Sequence, residues 1–362
     1  MPDKIAPRSL FADDSTFEHT SPRLGHTIQI EQRLPVPGAR ALRAEMALAE
    51  AAMARQGWAE IELGLALTAS VLHDDWYTAH RALDINAHHV DNVTALRQSA
   101  EAQYAAGRAS QQDPLRAEIE LAELLQEKLM LEAQRDMVRA ELNGLLHRSP
   151  RATLPPPPPE LSVRTTLPPP GEELEALALR QRPELAGTEA ERTGRQAAVD
   201  LARKSYYPEV ALMASYSSMW DEVPHRYMVG VSVNLPLFRD KRRAAVDEAR
   251  ASLSRSTYEQ AGLQDEIRVE VEKARQRLLE AMHVAELYRT RLMPVSRDRV
   301  VVARAGFESG RSDFGELLEA ENELRVIELR AHVALANVSR RDAELARAIG
   351  AMPGLPGRNA GR

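Results

Sequence analysis

Two hydrophobic rhythms alternate along this chain. Ile28 to Leu34, IQIEQRL, places apolar residues at every second position, meets Pro35, and after Gly38 gives way to helical spacing. Val229 to Leu235, VGVSVNL, does the same, meets Pro236, and turns helical after Arg239. Further along, YAAGRASQQDPLRAEIELAEL from Tyr104 parallels FESGRSDFGELLEAENELRVI from Phe307, with the same offsets of aromatic, glycine, arginine and acidic residues. The chain therefore reads as two copies of one strand-and-helix unit.

Each copy predicts a helix of about 60 to 70 residues, a break at Gly107 or Gly310, and a return helix of about 35. The longer helices would span roughly 90 to 100 Å. Ile267, Val271, Ala274, Leu278, Ala281, Ala285, Tyr288, Leu292 and Val295 alternate steps of four and three, the spacing of a narrow seam against a neighbouring helix. Leu317, Leu324, Ala331, Val338 and Leu345 keep a seven-residue step in the return helix. The first copy is less regular: Leu63, Leu67, Val71 and Tyr77 precede a polar run through Asp84, His88 and Asp91. Pro294, which has no N–H to donate, predicts a local distortion of its helix.

YYPEVALMASYSSMW and YMVGVSVNLPLF flank a short loop, Asp221 to His225, and predict a β-hairpin with Val210, Leu212, Ala214 and Tyr216 facing the same way as Val229, Val231, Val233 and Leu235. A helix is expected from Glu184 to Lys204. Five prolines from Pro155 make the join between the copies an extended segment, either a flexible linker or a strap lying on a surface. The resulting divisions are an irregular segment 1–27, a first repeat 28–146, a proline-rich segment 147–182, a second repeat 183–350 and a tail 351–362.

Composition sharpens this picture. Aromatic residues are 4% of the chain against 44% hydrophobic ones, a balance suited to long, closely packed helices more than to a deep globular core. The 47 basic and 53 acidic residues are interspersed, so no basic arm or stripe points to nucleic acid. With no cysteine, disulfides, thiolate chemistry and cysteine-linked lipid are excluded. No apolar run is long enough for a membrane-spanning helix, but the alternating segments suit a membrane-spanning strand. The opening residues lack the pattern of a secretory signal.

The segments IEQRLPVPG, YAAGRASQQDPLRAEIEL, LALRQRPEL, ARKSYYPEVAL, GVSVNLPLF and FESGRSDFGELLEAENEL, in this order, resemble the TolC-like outer membrane efflux protein family. The resemblance implies a mainly α fold with minor β. Duplicated long helical hairpins would form a trimeric α-barrel, and the strands would contribute to a membrane β-barrel. It implies a homotrimer in outer membrane lipid and periplasm, passing substrate from an inner-membrane efflux pump and a periplasmic adaptor protein to the exterior. Typical relatives begin with an export signal and a full strand pair, so a lost beginning is expected here, with three strands per chain and nine per trimer. The alternative from another class is a non-conducting periplasmic helical scaffold or adaptor acting by protein contact.

By the same resemblance the GR breaks, Gly107-Arg108 and Gly310-Arg311, are turns at the periplasmic tip, where the arginines could pair with carboxylates. Asp113 matches an acidic tip position of the first repeat, Glu316 and Glu319 the inward-facing acidic pair of the second, together a selectivity ring, and Phe307 an aromatic gate. Acidic residues early in a helix also favour its positive end without any pore. His73, Asp74, Asp75, His80 and His88-His89 invite a metal reading, but seven residues separate His73 from His80, about 10 Å along a helix, and water-facing histidines are the expectation. Met46 and Met53 fit a packing seam better than a thioether ladder. No phosphate-binding glycine loop, nucleophile elbow or acid-base constellation is present, so neither enzyme activity nor a cofactor is expected.

Overall fold

The computed structural model describes residues 27–217 and 227–353. The expected irregular segment before residue 27, the hairpin loop Asp221 to His225 and the tail beyond 353 lie outside the described residues. Strand β1 is Thr27–Leu34, followed by helices α1 (Ala39–Ala105) and α2 (Gln112–Leu145). After the proline-rich segment come α3 (Gly171–Gln181) and α4 (Pro183–Lys204), then strands β2 (Glu209–Ser217) and β3 (Tyr227–Asn234). Helix α5 (Arg239–Leu287) passes through a π turn, Tyr288–Leu292, into α6 (Met293–Glu308), and α7 (Phe314–Ala348) returns. Two compact units divide the chain: residues up to Ala44 with Ala198–Ala249, and Glu45–Ala197 with Arg250 onward.

The first unit holds an antiparallel sheet of order β1-β2-β3. Leu34 pairs with Val210 and Ile28 with Tyr216; Val210 pairs with Val233 and Tyr216 with Tyr227. Among the described residues the outer edges of β1 and β3 have no partner strand.

In the second unit Leu174, Ala178 and Leu185 of α3 and α4 pack with Ile267, Val271, Ala274 and Leu278 of α5 and with Val338, Leu345 and Ala348 of α7. Helix α3 was not expected inside the proline-rich segment. Its signals are local: Pro170 just before it, Glu172 and Glu173 in its first turn, and Arg180 in its last, each matched to the helix dipole. The prolines form a strap, not a free linker. Trp76 Nε1 donates to the Pro155 carbonyl at 3.1 Å, Asn143 Nδ2 to Ala152 at 2.8 Å, and Arg164 pairs with Asp342 at 2.6 Å.

The seam of α5 continues as predicted only as far as the π turn. Val295 is 66% exposed, and the buried positions beyond are Ser296, Val300 and Phe307. The cause is one extra residue in the wide turn: Met293 N–H bonds to the carbonyl of Tyr288, five residues back. Pro294 cannot donate to Thr290, so a wide turn just before it is the cheap accommodation. Met53, expected in a seam, is exposed.

Arg182, at the α3–α4 junction, is buried, with Glu184 at 2.6 Å, Glu270 at 2.5 Å and the Ala348 carbonyl at 3.2 Å. Burial alone would push the Glu184 carboxyl up, but its bonds to Arg182 outweigh that and hold it below the usual range. Against this junction sits Gly350, which ends α7 with φ of 76°; a Cβ there would lie 2.9 Å from the Gln181 carbonyl carbon. Gly107 has a similar φ of 71° but open space around it. Gly107→Ala should therefore cost only the left-handed penalty, about 1–2 kcal/mol, and Gly350→Ala clearly more. Thermal denaturation of the two variants tests this; equal losses would contradict the close approach.

Candidate functional site

The two turns that reverse the long helices are built alike. Gly107 N–H bonds to the Tyr104 carbonyl at 2.9 Å and Arg108 N–H to Gln103 at 2.8 Å; Gly310 and Arg311 repeat this with Phe307 at 3.0 Å and Gly306 at 2.8 Å. Both glycines take the left-handed conformation this helix end requires, φ 71° and 67°. The last turns of α1 and α6 and the first turns of α2 and α7 then share one apolar cluster, including Val93, Leu96, Ala117, Leu124, Phe314 and Leu317. The structure thus brings the two GR turns, distant in sequence, to one end of the helical unit.

The acidic residues expected there have different partners. Asp113 belongs to a reciprocal cap: its carboxylate accepts from Ser110 N–H at 3.2 Å, and Ser110 Oγ accepts from Gln112 N–H at 3.2 Å. In the second turn Asp313 does the capping, accepting from Glu316 N–H at 2.8 Å, which leaves the Glu316 side chain exposed at the start of α7. Glu319 is 73% exposed, 3.6 Å from Arg299, which also pairs with Glu323.

Phe307, expected at an aromatic gate, is 9% exposed and packs edge to face on Phe314 with ring centres 5.6 Å apart, so its side chain serves the packing of the turn. The expected salt bridges of Arg108 and Arg311 do not form within the protomer. Neither pairs with a carboxylate among the described residues, and Arg311 Nε donates to Ser309 Oγ at 2.9 Å.

A second feature lies further along the same helices and was missed in the sequence. Ala79, Ala82, Asn86, His89, Val93, Leu96 and Ala100 are all buried, in steps of three and four. The first-copy seam is therefore regular, but two of its positions are polar. His89 is 4% exposed, not water-facing as expected, and its Nε2 donates to Asn322 Oδ1 at 3.0 Å while Asn322 Nδ2 donates to Glu120 at 2.9 Å. Asn86 donates to the Leu124 carbonyl at 3.2 Å, Arg325 pairs with Glu127 at 2.5 Å, and Arg304 with Glu321 at 2.7 Å. This polar belt ties α1, α2, α6 and α7 together. The signal available was the seven-residue step itself, once hydropathy is set aside.

Among the described residues the other histidines do not converge. His73 lies 3.7 Å from Asp74, whose hydrogen bond and charge raise its pKa, whereas His80 bonds the Trp76 carbonyl at 3.0 Å.

The third feature is the sheet's two faces. Ile28, Ile30 and Leu34 line up across the register with Tyr216, Ala214 and Val210 and with Tyr227, Val229 and Val233, with Gln32 the polar member of this face. The opposite face is mixed, with Gln29, Glu31, Arg33, Ser215, Ser232 and Asn234 beside Ala211, Met213 and Met228. On β1 and β3 both faces are exposed, and the apolar one is left uncovered: Val229 is 83% and Ile30 69% accessible. That inverts the arrangement of a water-soluble sheet and matches a strand set with hydrocarbon on one side and water on the other.

Comparison with known proteins finds similarity over part of the sequence and over most of the fold. Residues 174–351 match the family described as Outer membrane efflux protein. The nickel and cobalt resistance protein CnrC of Cupriavidus metallidurans is 33% identical over 109 residues, 30% of this chain; the match spans a quarter of that relative's length. Among solved structures, the outer-membrane channel OprN superposes with a TM-score of 0.75 at 20% identity, covering 90% of this chain and 80% of that one. The outer membrane protein VceC of Vibrio cholerae gives 0.75 at 14% identity, with 91% and 87% covered.

His89 supplies a test of the polar belt. Burial lowers its pKa most strongly; the Asn322 bond and the charges of Glu120 and Glu321 raise it, Arg325 opposes them, and the net shift is downward. Below about pH 6.5 the unfolded chain then binds the proton first. Stability should fall as pH drops through that value, until the folded histidine is protonated too. His89→Gln should flatten the fall in thermal midpoint between about pH 7.5 and 5.5; parallel curves for the two proteins would contradict a buried neutral imidazole.

Proposed function

We propose that this chain is a member of the outer membrane efflux protein family, a reading supported by the family match over residues 174–351 and the shared fold, and that it is the exit channel of a tripartite efflux system and conducts its cargo passively. The observation that carries the reading is the open three-stranded sheet with an uncovered apolar face. Eight or nine residues per strand, at about 3.3 Å each, reach roughly 26–30 Å, close to the ~9–11 residues that a tilted membrane strand uses. A sheet in lipid must close, because unpaired N–H and C=O groups at its edges would have no water to bond. Further copies supply that closure, and three copies about one axis give a barrel continued by a tunnel of helices in the periplasm.

In that trimer the turns at Gly107 and Gly310 form the periplasmic tip that meets an adaptor, and an inner-membrane pump supplies both cargo and energy. Glu316 and Glu319 are the ring charges: repeated three times around a constriction, they favour cations. Asp113 adds charge to the ring while capping α2, and Phe307 with Phe314 holds the turn that carries Glu316. Arg108 and Arg311, without carboxylate partners among the described residues, are free to meet a neighbouring copy or the adaptor.

The chain should appear in the outer membrane fraction as heat-sensitive trimers. A monomer wholly in the soluble fraction would instead support the scaffold reading. In planar bilayers, Glu316→Gln with Glu319→Gln should weaken cation preference, most at low salt; unchanged selectivity would reject the ring. Asp113→Asn should in addition loosen the α2 cap, by about 1 kcal/mol.

A further inference from the structure

Where β1 ends and β2 begins, the first unit contains a hollow of about 740 Å³. Ala41 and Leu42, in the first turn of α1, give it an aliphatic floor; Tyr206 and Tyr207 give it aromatic sides. Its charged edge comes from Asp200, Arg203 and Lys204 near the end of α4, two cations to one carboxylate. Arg203 is held by Asp200 at 2.8 Å, and the Lys204 ammonium sits over the Tyr207 ring, 5.7 Å from its centre.

Register fixes the level of this hollow. Leu34, Val210 and Val233 are paired neighbours, so all three strands reach the same end together. Directly beyond β3 the chain exposes Leu235, Leu237 and Phe238 and then Arg239, Lys241 and Arg243. Arg239 and Lys241 make no ion pair among the described residues. Helix stability does not explain these cations, since positive charge at the start of a helix opposes its dipole. Nor does the charge of the whole chain, which is -6. Arg242 has a separate task, donating to the Ser205 carbonyl at 2.6 Å and so fastening α5 to the chain entering β2.

We infer that this hollow binds the headgroup of an anionic phospholipid in the leaflet that faces the helices. The inference rests on the reading of the sheet as membrane-spanning. Aromatic rings and long cationic side chains at one level are the composition of a bilayer interface, where the ring sits among headgroups and the ammonium reaches the phosphate. Here they surround a concavity with an apolar floor and an edge of net positive charge. That combination complements a phosphate attached to a glycerol and acyl chain better than it does a free ion. Arg203 and Lys204 meet the phosphate; Ala41, Leu42 and the tyrosine rings meet the glycerol and the first methylenes.

The test reconstitutes the full chain in nanodiscs of phosphatidylcholine, or of phosphatidylcholine doped with phosphatidylglycerol, and compares thermal midpoints. Phosphatidylglycerol should raise the midpoint by about 3 °C or more, and inorganic phosphate added to phosphatidylcholine discs should not. Arg203→Gln with Lys204→Gln should keep the wild-type midpoint in phosphatidylcholine, showing that it folds, and lose most of the increment. Arg55→Gln, a surface charge elsewhere, should retain it. Equal midpoints in the two lipids, a full increment in the double variant, or reproduction by free phosphate would each overturn the headgroup site while leaving the channel reading intact. Failure to insert into either bilayer would overturn both.

Discussion

A strand immersed in hydrocarbon must have every backbone N–H and C=O paired, because the solvent offers no substitute. That constraint gives meaning to an otherwise poor sheet: three strands, two edges without partner strands among the described residues, and an exposed row of valines and isoleucines. In water such an object would invite edge-to-edge aggregation. In a bilayer, with other copies completing the sheet, the same features become the conditions of stability. The exposed apolar face is then the surface that holds the sheet in the bilayer.

The helices solve a different problem with the same economy. Each hairpin reverses on a left-handed glycine with the same pair of backbone bonds, and the apolar cluster beyond the turns is shared by both repeats. Next to it the packing becomes polar, with His89, Asn322 and Glu120 in line and Arg304 and Arg325 each on a carboxylate. A satisfied buried network adds less stability than an apolar seam of the same size, but it permits fewer alternative registers. Position along the helices is thus specified close to the two glycine turns.

Much of this was legible in the amino-acid order. Strand alternation, the hairpin and both glycine turns rest on local backbone chemistry, which a short segment carries by itself. What could not be read depends on geometry summed along a helix or on partners far away. The seam slipped from Val295 to Ser296 because one wide turn before Pro294 adds a residue, a shift of phase without a hydropathy signal. His89 looked solvent-facing because its partner, Asn322, lies on another repeat. Asp113 looked like a pore charge, and its cap with Ser110 shows that a residue placed by resemblance at a tip can also stabilise its own helix. Helix α3 was hidden by the prolines around it, although its acidic start and basic end were in plain view.

The central claim, that the sheet has lipid on one face and water on the other, is tested most directly along β3. The native chain has no cysteine, so single cysteines carrying spin labels report without ambiguity. Labels at Val229, Val231 and Val233 and at Met228, Ser232 and Asn234 would be compared in bilayers for collision with oxygen, which concentrates in lipid, and with a water-soluble nickel complex. The account predicts a period of two, with oxygen favoured at the three valines and nickel at the other three positions. Equal access to nickel at all six positions would contradict it.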